Sequence, residues 1–217
     1  MIYLNNYGWN DKLSQLKQES TYNALTHGRI SIVHRTCYEV VSENGLFQCE
    51  LTGNMMYGKS DIELPCTGDW VLFQPFDEHK GIIVDMLPRE RTLYRKKNGT
   101  VADKQAIASY VDKAFIVQSL DDNFNVRRAE RFMVQMQEEN INPVLVFNKA
   151  DLGFDEQKVE EQIRHIARQI PVFFTSIHQP QTILQLRESI SAGETVVFVG
   201  SSGVGKSSLV NALCEKS

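Results

Sequence analysis

One segment of this sequence has the residue types and the spacing that bind a chain of phosphates. Gly200 to Ser207 reads GSSGVGKS, which fits the pattern G-x-x-x-x-G-K-[ST] and lies between an apolar run and a helix-like segment. Glycines let such a loop curl so that its N–H groups point at phosphate oxygens, and the following helix contributes its positive end. Lys206 is placed to stabilise phosphate charge as the catalytic residue, and the Ser207 hydroxyl is placed to bind Mg²⁺. The residues assigned to this nucleotide site are Gly200, Ser201, Ser202, Gly203, Val204, Gly205, Lys206, Ser207 and Ser208.

A second loop, Asn148-Lys149-Ala150-Asp151, has the residues that read a guanine base. The Asp151 carboxylate can accept hydrogen bonds from N1–H and from the exocyclic amine of guanine, whereas adenine offers no matching pair of donors. Asn148 can bond the base edge and tie the neighbouring loop, while the Lys149 stem can pack along the ring. We therefore expect GTP and GDP as ligands. A phosphate-loop ATPase or kinase with a coincidental Asn-Lys-Ala-Asp is the alternative.

Thr175-Ser176-Ile177 is the candidate for a third loop at the base. Such a loop usually reads Ser-Ala and offers a backbone N–H to the guanine oxygen; Ile177 here replaces the small residue. Ser176 and Ile177 are assigned to the nucleotide site on this basis. The guanine-reading loop precedes the phosphate loop, which reverses the order in ordinary GTPases. A sheet whose termini lie close together keeps its site under circular permutation, so the sequence predicts a circularly permuted GTPase domain.

The elements that must position these loops fall into two regions with different sequence patterns. Residues 28–87 contain five short runs rich in β-branched and aromatic residues, and the pair Asn44-Gly45 is typical of a hairpin turn with positive φ at both central positions. Five strands in so short a stretch favour a small closed barrel of the oligonucleotide/oligosaccharide-binding type. Residues 10–25 before the barrel predict one modest helix. The predicted strands are 28–35, 37–43, 46–52, 69–75 and 81–87.

Apolar runs alternate with helical patterns beyond residue 112, which predicts a mostly parallel sheet with helical crossovers. Ligands of such sheets bind beyond the carboxyl ends of the strands, so the loops after 119, 147, 174 and 200 are the ones expected to carry the site. The fold class is therefore α/β plus all-β. The predicted strands are 113–119, 143–147, 171–174 and 195–200, and the predicted helices are 126–139, 155–169 and 181–191. The predicted domains are a helical extension (1–27), the barrel (28–90), a basic connector (91–112) and the incomplete GTPase domain (113–217).

The connector region is locally basic. Residues 89–104 hold six basic and two acidic side chains, with a tyrosine among them that could stack on a base. This pattern fits an RNA-binding patch and equally a solvated, charged linker. Arg127, Arg128 and Arg131 either extend the patch or form a solvated helix face. The RNA candidates are Arg91, Tyr94, Arg95, Lys96 and Lys97.

The composition excludes several classes of protein. The 217 residues carry 23 basic and 27 acidic side chains, a net charge of −4, so the chain does not coat nucleic acid by bulk charge. No apolar run approaches the roughly 20 residues of a membrane span, and the N-terminus lacks the order of a signal peptide. We therefore expect a cytoplasmic monomer with no membrane contact. Four widely separated cysteines predict reduced thiols rather than a zinc site: Cys37, Cys49, Cys66 and Cys214.

Together these segments resemble the circularly permuted GTPases of small ribosomal subunit biogenesis (RsgA/YjeQ type). The resemblance runs from about residue 28 to the end of the sequence, and Gly8-Trp9-Asn10 is similar to one branch of the family. It implies a cytoplasmic GTPase that uses Mg²⁺ with GTP and binds the small subunit late in its maturation. It also implies that the barrel contacts ribosomal RNA and that the subunit stimulates hydrolysis. The segments that carry it are Gly68-Asp69-Trp70-Val71, FNVRRAERF (124–132), NKAD and GSSGVGKSSLVNAL.

Two family features are absent from this sequence. It has no Asp-x-x-Gly of the kind that holds Mg²⁺ through water, and no Cys/His cluster for the zinc that the family carries. The loop 53–59 is also less basic than its usual counterpart. We therefore expect a truncated chain whose water-orienting residue cannot be assigned. The alternative is a nucleotide-gated RNA-binding module that does not hydrolyse GTP.

Overall fold

The computed structural model describes residues 1–96, 104–121, 124–168 and 170–214. The chain forms two compact units: Met1–Val111 with Ala192–Thr195, and Asp112–Ser191 with Val196–Ser217. The first unit thus takes in the segment predicted as a connector (91–112) except for Asp112, and four residues that the sequence had placed in the GTPase domain. Gly193 packs closely against the N-terminal segment of this unit. A Cβ added to Gly193 would lie only 2.9 Å from the Asn5 carbonyl oxygen.

The first unit contains the predicted five-stranded barrel, which is confirmed. Its strands close in the order β1-β2-β3-β5-β4, with β4 returning to pair antiparallel with β1. Alternate residues point inward, and the interior is filled by Ile30, Val40, Phe47, Cys49, Val71, Phe73 and Ile83. Between β3 and β4 lies a short helix, α2 (Gly53–Met56). The strands are β1 (Thr26–Val33), β2 (Tyr38–Ser42), β3 (Gly45–Leu51), β4 (Trp70–Asp77) and β5 (Lys80–Met86).

The hairpin between β2 and β3 is confirmed, but its turn differs from the prediction by one residue. Ser42 pairs with Gly45, so Glu43 and Asn44 are the two central residues of the turn. Gly45 has a φ of +127°, whereas Asn44 is not among the residues with positive φ. The predicted turn required positive φ at Asn44; the observed one needs it only at the glycine that begins β3.

The N-terminal segment packs on the barrel, although its helix is shorter than predicted. Helix α1 (Asp11–Glu19) begins at Asn10, whose side chain accepts a hydrogen bond from the Leu13 N–H at 3.1 Å. The prediction of one helix over 10–25 is wrong beyond Glu19. Ser20 has an extended ψ of 143°, and its hydroxyl accepts from the Tyr22 N–H at 3.1 Å, so a local turn replaces the next helical turn.

A buried ion pair joins two loops of the first unit. Asp69 is fully buried, and its carboxylate accepts hydrogen bonds from the Arg89 guanidinium at 2.6–3.1 Å and from the Cys66 N–H at 2.7 Å. Arg89 also donates to the carbonyls of Ile62 and Leu64. Asp69 therefore fixes both the chain that leads into β4 and the arginine that follows β5.

The predicted connector contains a small antiparallel sheet. Strand β6 (Leu93–Lys96) pairs with β7 (Lys104–Ala108), and a bridge joins Thr67 to Ala108. The intervening residues 97–103 lie outside the described part of the chain. The basic residues at 93–96 therefore belong to a strand rather than to an extended linker.

The second unit is the predicted parallel sheet, and this prediction is confirmed. Its four strands are ordered β10-β9-β8-β11, and all neighbouring pairs are parallel. Apolar clusters cover both faces: one includes Ile116, Met133, Phe147 and Ile163, and the other includes Phe115, Val146, Leu186 and Leu209. The elements are β8 (Lys113–Ser119), α3 (Val126–Glu138), β9 (Asn142–Asn148), α4 (Glu156–Ala167), β10 (Val172–Thr175), α5 (Pro180–Glu188), β11 (Val196–Val199) and α6 (Lys206–Cys214).

Within the described ranges, no helix combines the length and the apolar character needed to cross a bilayer.

Candidate nucleotide-binding site

The phosphate loop connects the edge strand β11 to helix α6 at the carboxyl edge of the sheet. Gly200 has a φ of +147°, and a Cβ there would lie 2.3 Å from the Val117 carbonyl oxygen, so only glycine fits this close approach to β8. Val204, in the middle of the loop, is fully buried. Ser202 and Ser207 are exposed. The loop is thus anchored at its start and centre, while its outer residues face solvent.

The loop 148–151, which the sequence assigns to guanine recognition, is hydrogen-bonded directly to the loop 200–207. The buried Asn148 ends β9, and its side-chain amide donates to the Val204 carbonyl at 2.9 Å. Thr175, at the end of β10, lies with its hydroxyl 3.4 Å from the Asn148 side-chain oxygen. Asn148 is therefore the central connection between three loops that are far apart in the sequence.

Asp151 and Ser176 lie together at the opening of this site. Asp151 is solvent-exposed, and a hydrogen bond from the Ser176 hydroxyl is the main factor that lowers the pKa of its carboxyl, with a smaller effect of His178. Ser176 is almost fully buried, and its own N–H donates to the Thr182 hydroxyl at 3.0 Å. The hydrogen bond from Ser176 therefore orients the carboxylate and favours its ionised form.

Lys149 is held in an unusual backbone conformation. Its φ of 64° is in the left-handed region, and its ammonium group pairs with the Asp121 carboxylate at 2.8 Å. Asp121 also accepts a hydrogen bond from the buried Ser119 hydroxyl at 2.6 Å. Strain at a non-glycine residue persists only where the surroundings fix it. Here the ion pair connects Lys149, and with it the loop 148–151, to Asp121 after β8.

Lys206 is folded onto its own loop. Its ammonium group donates to the carbonyls of Gly200 at 3.0 Å and Ser201 at 2.7 Å. These are neutral acceptors, which a phosphate oxygen can replace with a stronger, charge-assisted bond.

Ser207 lies in the first turn of α6, and its exposed hydroxyl is the kind of hard oxygen ligand that Mg²⁺ prefers. Magnesium sites of this type use few protein ligands and take the rest from phosphates and water, so the donor set fits Mg²⁺ bound together with a nucleotide. Among the described residues there is no group of three or more His, Cys, Asp or Glu side chains that could hold a metal ion.

These loops enclose a cleft of about 190 Å³. All three loops assigned from the sequence contribute to its lining, and Ile177 lies on its rim with 44% of its surface exposed. Ala150 packs against the adjacent core cluster instead. The lining residues are Asn148, Lys149, Asp151, Leu152, Ser176, Ile177, His178, Gly205 and Ser208.

Sequence reasoning missed three contacts of this site. It assigned no role to Asp121, which pairs with Lys149, or to Thr182, which holds Ser176. It left Arg128 as a patch or solvent-facing residue, yet its guanidinium donates to the Ser201 hydroxyl at 2.6 Å. Asp121 follows β8, whose end was among the loops expected to matter, so that position was the available signal. Nothing in the sequence signals the pairing of residues 128 and 201.

Gly205→Ala is expected to separate the phosphate loop from the guanine-reading loop. A Cβ at Gly205, where φ is +91°, would lie 2.3 Å from the Asn148 amide nitrogen, so this amide must shift and its bond to Val204 is weakened or lost. We expect GDP affinity to fall at least about tenfold, the value of one buried hydrogen bond. Isothermal titration with GDP measures it. Gly153→Ala is the control, because its φ of +78° gives similar strain with no atom within 4 Å; equal losses in both variants would contradict the steric explanation.

The RNA candidates occupy different environments within the first unit. Arg91 is half-buried and donates to the Val111 carbonyl at 3.1 Å, so it stabilises the fold locally. The Lys104 ammonium lies 5.7 Å from the centre of the Tyr94 ring. Lys96 is the last residue of β6, and the structure describes its backbone but not its side chain. Lys97 lies outside the described residues.

Arg95 is exposed and lines a groove of about 380 Å³ on the first unit. The groove is bounded by the β1–β2 turn, by the segment before β4 and by the β6–β7 pair. Other basic and aromatic residues in its lining are His34, Arg35 and Tyr38.

Comparison with known proteins identifies the family. Residues 86–217 match the family model described as RsgA GTPase. The chain belongs to the RsgA GTPase family. The resemblance inferred from the motifs is thereby confirmed.

Relatives cover nearly the whole chain. It is 75% identical over 211 residues to small ribosomal subunit biogenesis GTPase RsgA 1 of Bacteroides thetaiotaomicron, covering 97% of this chain and 59% of that protein. It is 35% identical to RsgA of Methanosarcina acetivorans, covering 94% of this chain and 55% of that protein. The chain thus spans somewhat over half the length of these RsgA proteins.

Two solved structures share the fold. YjeQ from Thermotoga maritima has a TM-score of 0.69 and 26% identity, covering 88% of this chain and 66% of that one. YloQ, described as a circularly permuted GTPase, has a TM-score of 0.62 and 25% identity, covering 89% of this chain and 66% of that one. These likenesses agree with the barrel and the parallel sheet described above.

Proposed function

We propose that this chain binds GTP and GDP at the cleft of its second unit. The observation that carries the proposal is the hydrogen bond from the Asn148 amide to the Val204 carbonyl at 2.9 Å. This bond holds the loop 148–151 beside the loop 200–207, and the proposal needs that proximity because one nucleotide would contact both loops. Asp151 and Ser176 would read the base, with the backbone N–H of Ile177 as the donor to the guanine oxygen, because the Ser176 N–H is used by Thr182.

We further propose that the family's GTP hydrolysis is the reaction at this site. Lys206 would leave the carbonyls of its own loop and stabilise charge on the outer phosphates as water attacks the γ-phosphate in line. Ser207 would hold the Mg²⁺, which when bound neutralises charge on the β- and γ-phosphate oxygens. The backbone N–H groups of the loop 200–205 and the positive end of α6 would orient the phosphates.

The partner we propose is the small ribosomal subunit, in the cytoplasm. Its support is the family, the names of the relatives, and a barrel of the kind that binds oligonucleotides. The groove beside β6 and β7 is the proposed RNA contact, because guanidinium and imidazole groups there can pair with phosphates while Tyr38 offers a stacking surface.

Arg95→Ala is expected to weaken binding to small subunits without changing nucleotide affinity. Loss of one phosphate contact should lower affinity similarly for different RNA sequences and reduce the slope of log affinity against log salt by about 1. Filter binding of the chain to small subunits across a salt series measures both quantities. Lys158→Ala, an exposed lysine of α4 in the second unit, is the charge-matched control. An unchanged slope for Arg95→Ala would show that this arginine does not contact an RNA phosphate.

One experiment tests the nucleotide proposal on the unaltered chain. We expect GDP and GTP to displace a fluorescent GDP analogue in the presence of Mg²⁺, and ADP and ATP to compete at least about a hundredfold less well. Single-turnover hydrolysis of GTP, with and without small subunits, then distinguishes an enzyme from a nucleotide-gated binding module. Equal competition by adenine nucleotides would overturn the guanine assignment, and binding without subunit-stimulated hydrolysis would favour the module.

A further inference from the structure

Arg128 connects helix α3 to the phosphate loop. Its guanidinium donates a hydrogen bond to the Ser201 hydroxyl at 2.6 Å, across 73 positions of sequence. Ser201 follows Gly200, at the point where the chain leaves β11. Through this contact a helix outside the three predicted nucleotide loops reaches the phosphate loop itself.

The position of Arg128 is unfavourable for the helix that carries it. Arg127 and Arg128 lie in the first turn of α3, which contains no acidic residue, so their positive charges face the positive end of the helix dipole. The turn is nevertheless fixed, because the Asn125 side chain accepts a hydrogen bond from the Arg128 N–H at 3.0 Å. Helix stability therefore does not account for an arginine at this site, whereas a role at an anion-binding loop does.

We propose that Arg128 is a positioning residue of the phosphate loop and acts through the Ser201 hydroxyl. The inference rests on the proposed nucleotide function and adds a residue to it. In the unliganded chain, Ser201 is held twice: its carbonyl accepts from Lys206 at 2.7 Å and its hydroxyl accepts from Arg128. When Lys206 turns to the phosphates, the first contact is lost and Arg128 keeps the loop in place.

The expected consequence is a slower release of nucleotide when the contact is intact. A guanidinium bond is directional and charge-assisted, and Lys cannot reproduce its fork. We expect Arg128→Ala and Ser201→Ala each to weaken GDP binding about tenfold, chiefly through faster dissociation. The double variant should be no weaker than either single one, because both remove the same contact. Arg128→Lys should recover only part of the affinity.

These single and double variants form a double-mutant cycle. Stopped-flow release of a fluorescent GDP analogue from the full 217-residue chain tests it, with Arg127→Ala as the matched control. Arg127 is exposed in the same helical turn, so its removal changes the charge equally, and we expect less than about a twofold effect on release. Thermal unfolding of the nucleotide-free variants provides a separate readout. The unfolding midpoint of Arg128→Ala should fall no further than that of Ser201→Ala, because both variants remove the same contact.

Each result decides the proposal. Equal release rates for Arg128→Ala and Arg127→Ala would overturn it. So would an Arg128→Ala effect that persists undiminished in the Ser201→Ala background, since Arg128 would then act on the phosphates directly. A chain that binds fluorescent GDP normally in every variant refutes the positioning role alone, whereas an unaltered chain that binds no GDP refutes the proposed function itself.

Discussion

Asp151→Asn is expected to convert the site from guanine to xanthine nucleotides. The Asp151 carboxylate, oriented by Ser176, can accept two hydrogen bonds from guanine, and an amide can accept only one of them. Losing a bond to a charged acceptor and leaving an amine unpaired should lower GDP affinity roughly 100-fold or more. Xanthine has a carbonyl in place of the amine, so the new amide can donate to it. Competition titrations with GDP and xanthosine diphosphate (XDP) measure this change in base preference.

Asp155→Asn is the control for this prediction. Asp155 is exposed four residues later, where its carboxylate accepts from the Lys158 N–H at 3.0 Å at the start of α4, a role that asparagine also fills. It should leave both affinities unchanged. Unaltered GDP and XDP binding by Asp151→Asn would show that this carboxylate does not read the base.

Asp69→Asn is expected to destabilise the first unit by roughly 3–5 kcal/mol, the usual cost of leaving one member of a buried ion pair without its partner. Only 1% of the Asp69 side chain and 13% of the Arg89 side chain are exposed, so solvent screens the pair little. The substitution removes the negative charge that faces Arg89, so the buried guanidinium keeps only neutral acceptors: the new amide oxygen and the carbonyls of Ile62 and Leu64. Urea unfolding followed by tryptophan fluorescence measures the loss.

The fluorescence signal is specific to this unit, because the chain has two tryptophans, Trp9 and Trp70, and their rings pack 4.9 Å apart there. Asp77→Asn, at an exposed carboxylate that ends β4, the strand that Asp69 precedes, should change the free energy of unfolding by less than about 0.5 kcal/mol. Nucleotide affinity, which belongs to the second unit, should be unaffected in both variants. A small effect of Asp69→Asn would mean that the ion pair contributes little beyond packing.

Much of the architecture was predictable because it follows from short-range patterns. The barrel strands follow from runs of β-branched and aromatic residues, and the parallel sheet follows from apolar runs that alternate with helical segments. Element ends were harder to predict. Helix α1 stops at Glu19 because the Ser20 hydroxyl bonds locally, and the β2–β3 turn centres on Glu43 and Asn44 rather than on the expected Asn-Gly pair.

The loops of the candidate site were identifiable without coordinates, since each holds its proposed functional groups within a few consecutive residues, and their permuted order is also visible in the sequence. The contacts that hold these loops were found only in the folded chain: Asn148 on Val204, Asp121 on Lys149, and Arg128 on Ser201. The partners in these contacts lie 28 to 73 residues apart. No spacing rule links such residues, because the strand order of the sheet, and not the order of the chain, brings them together.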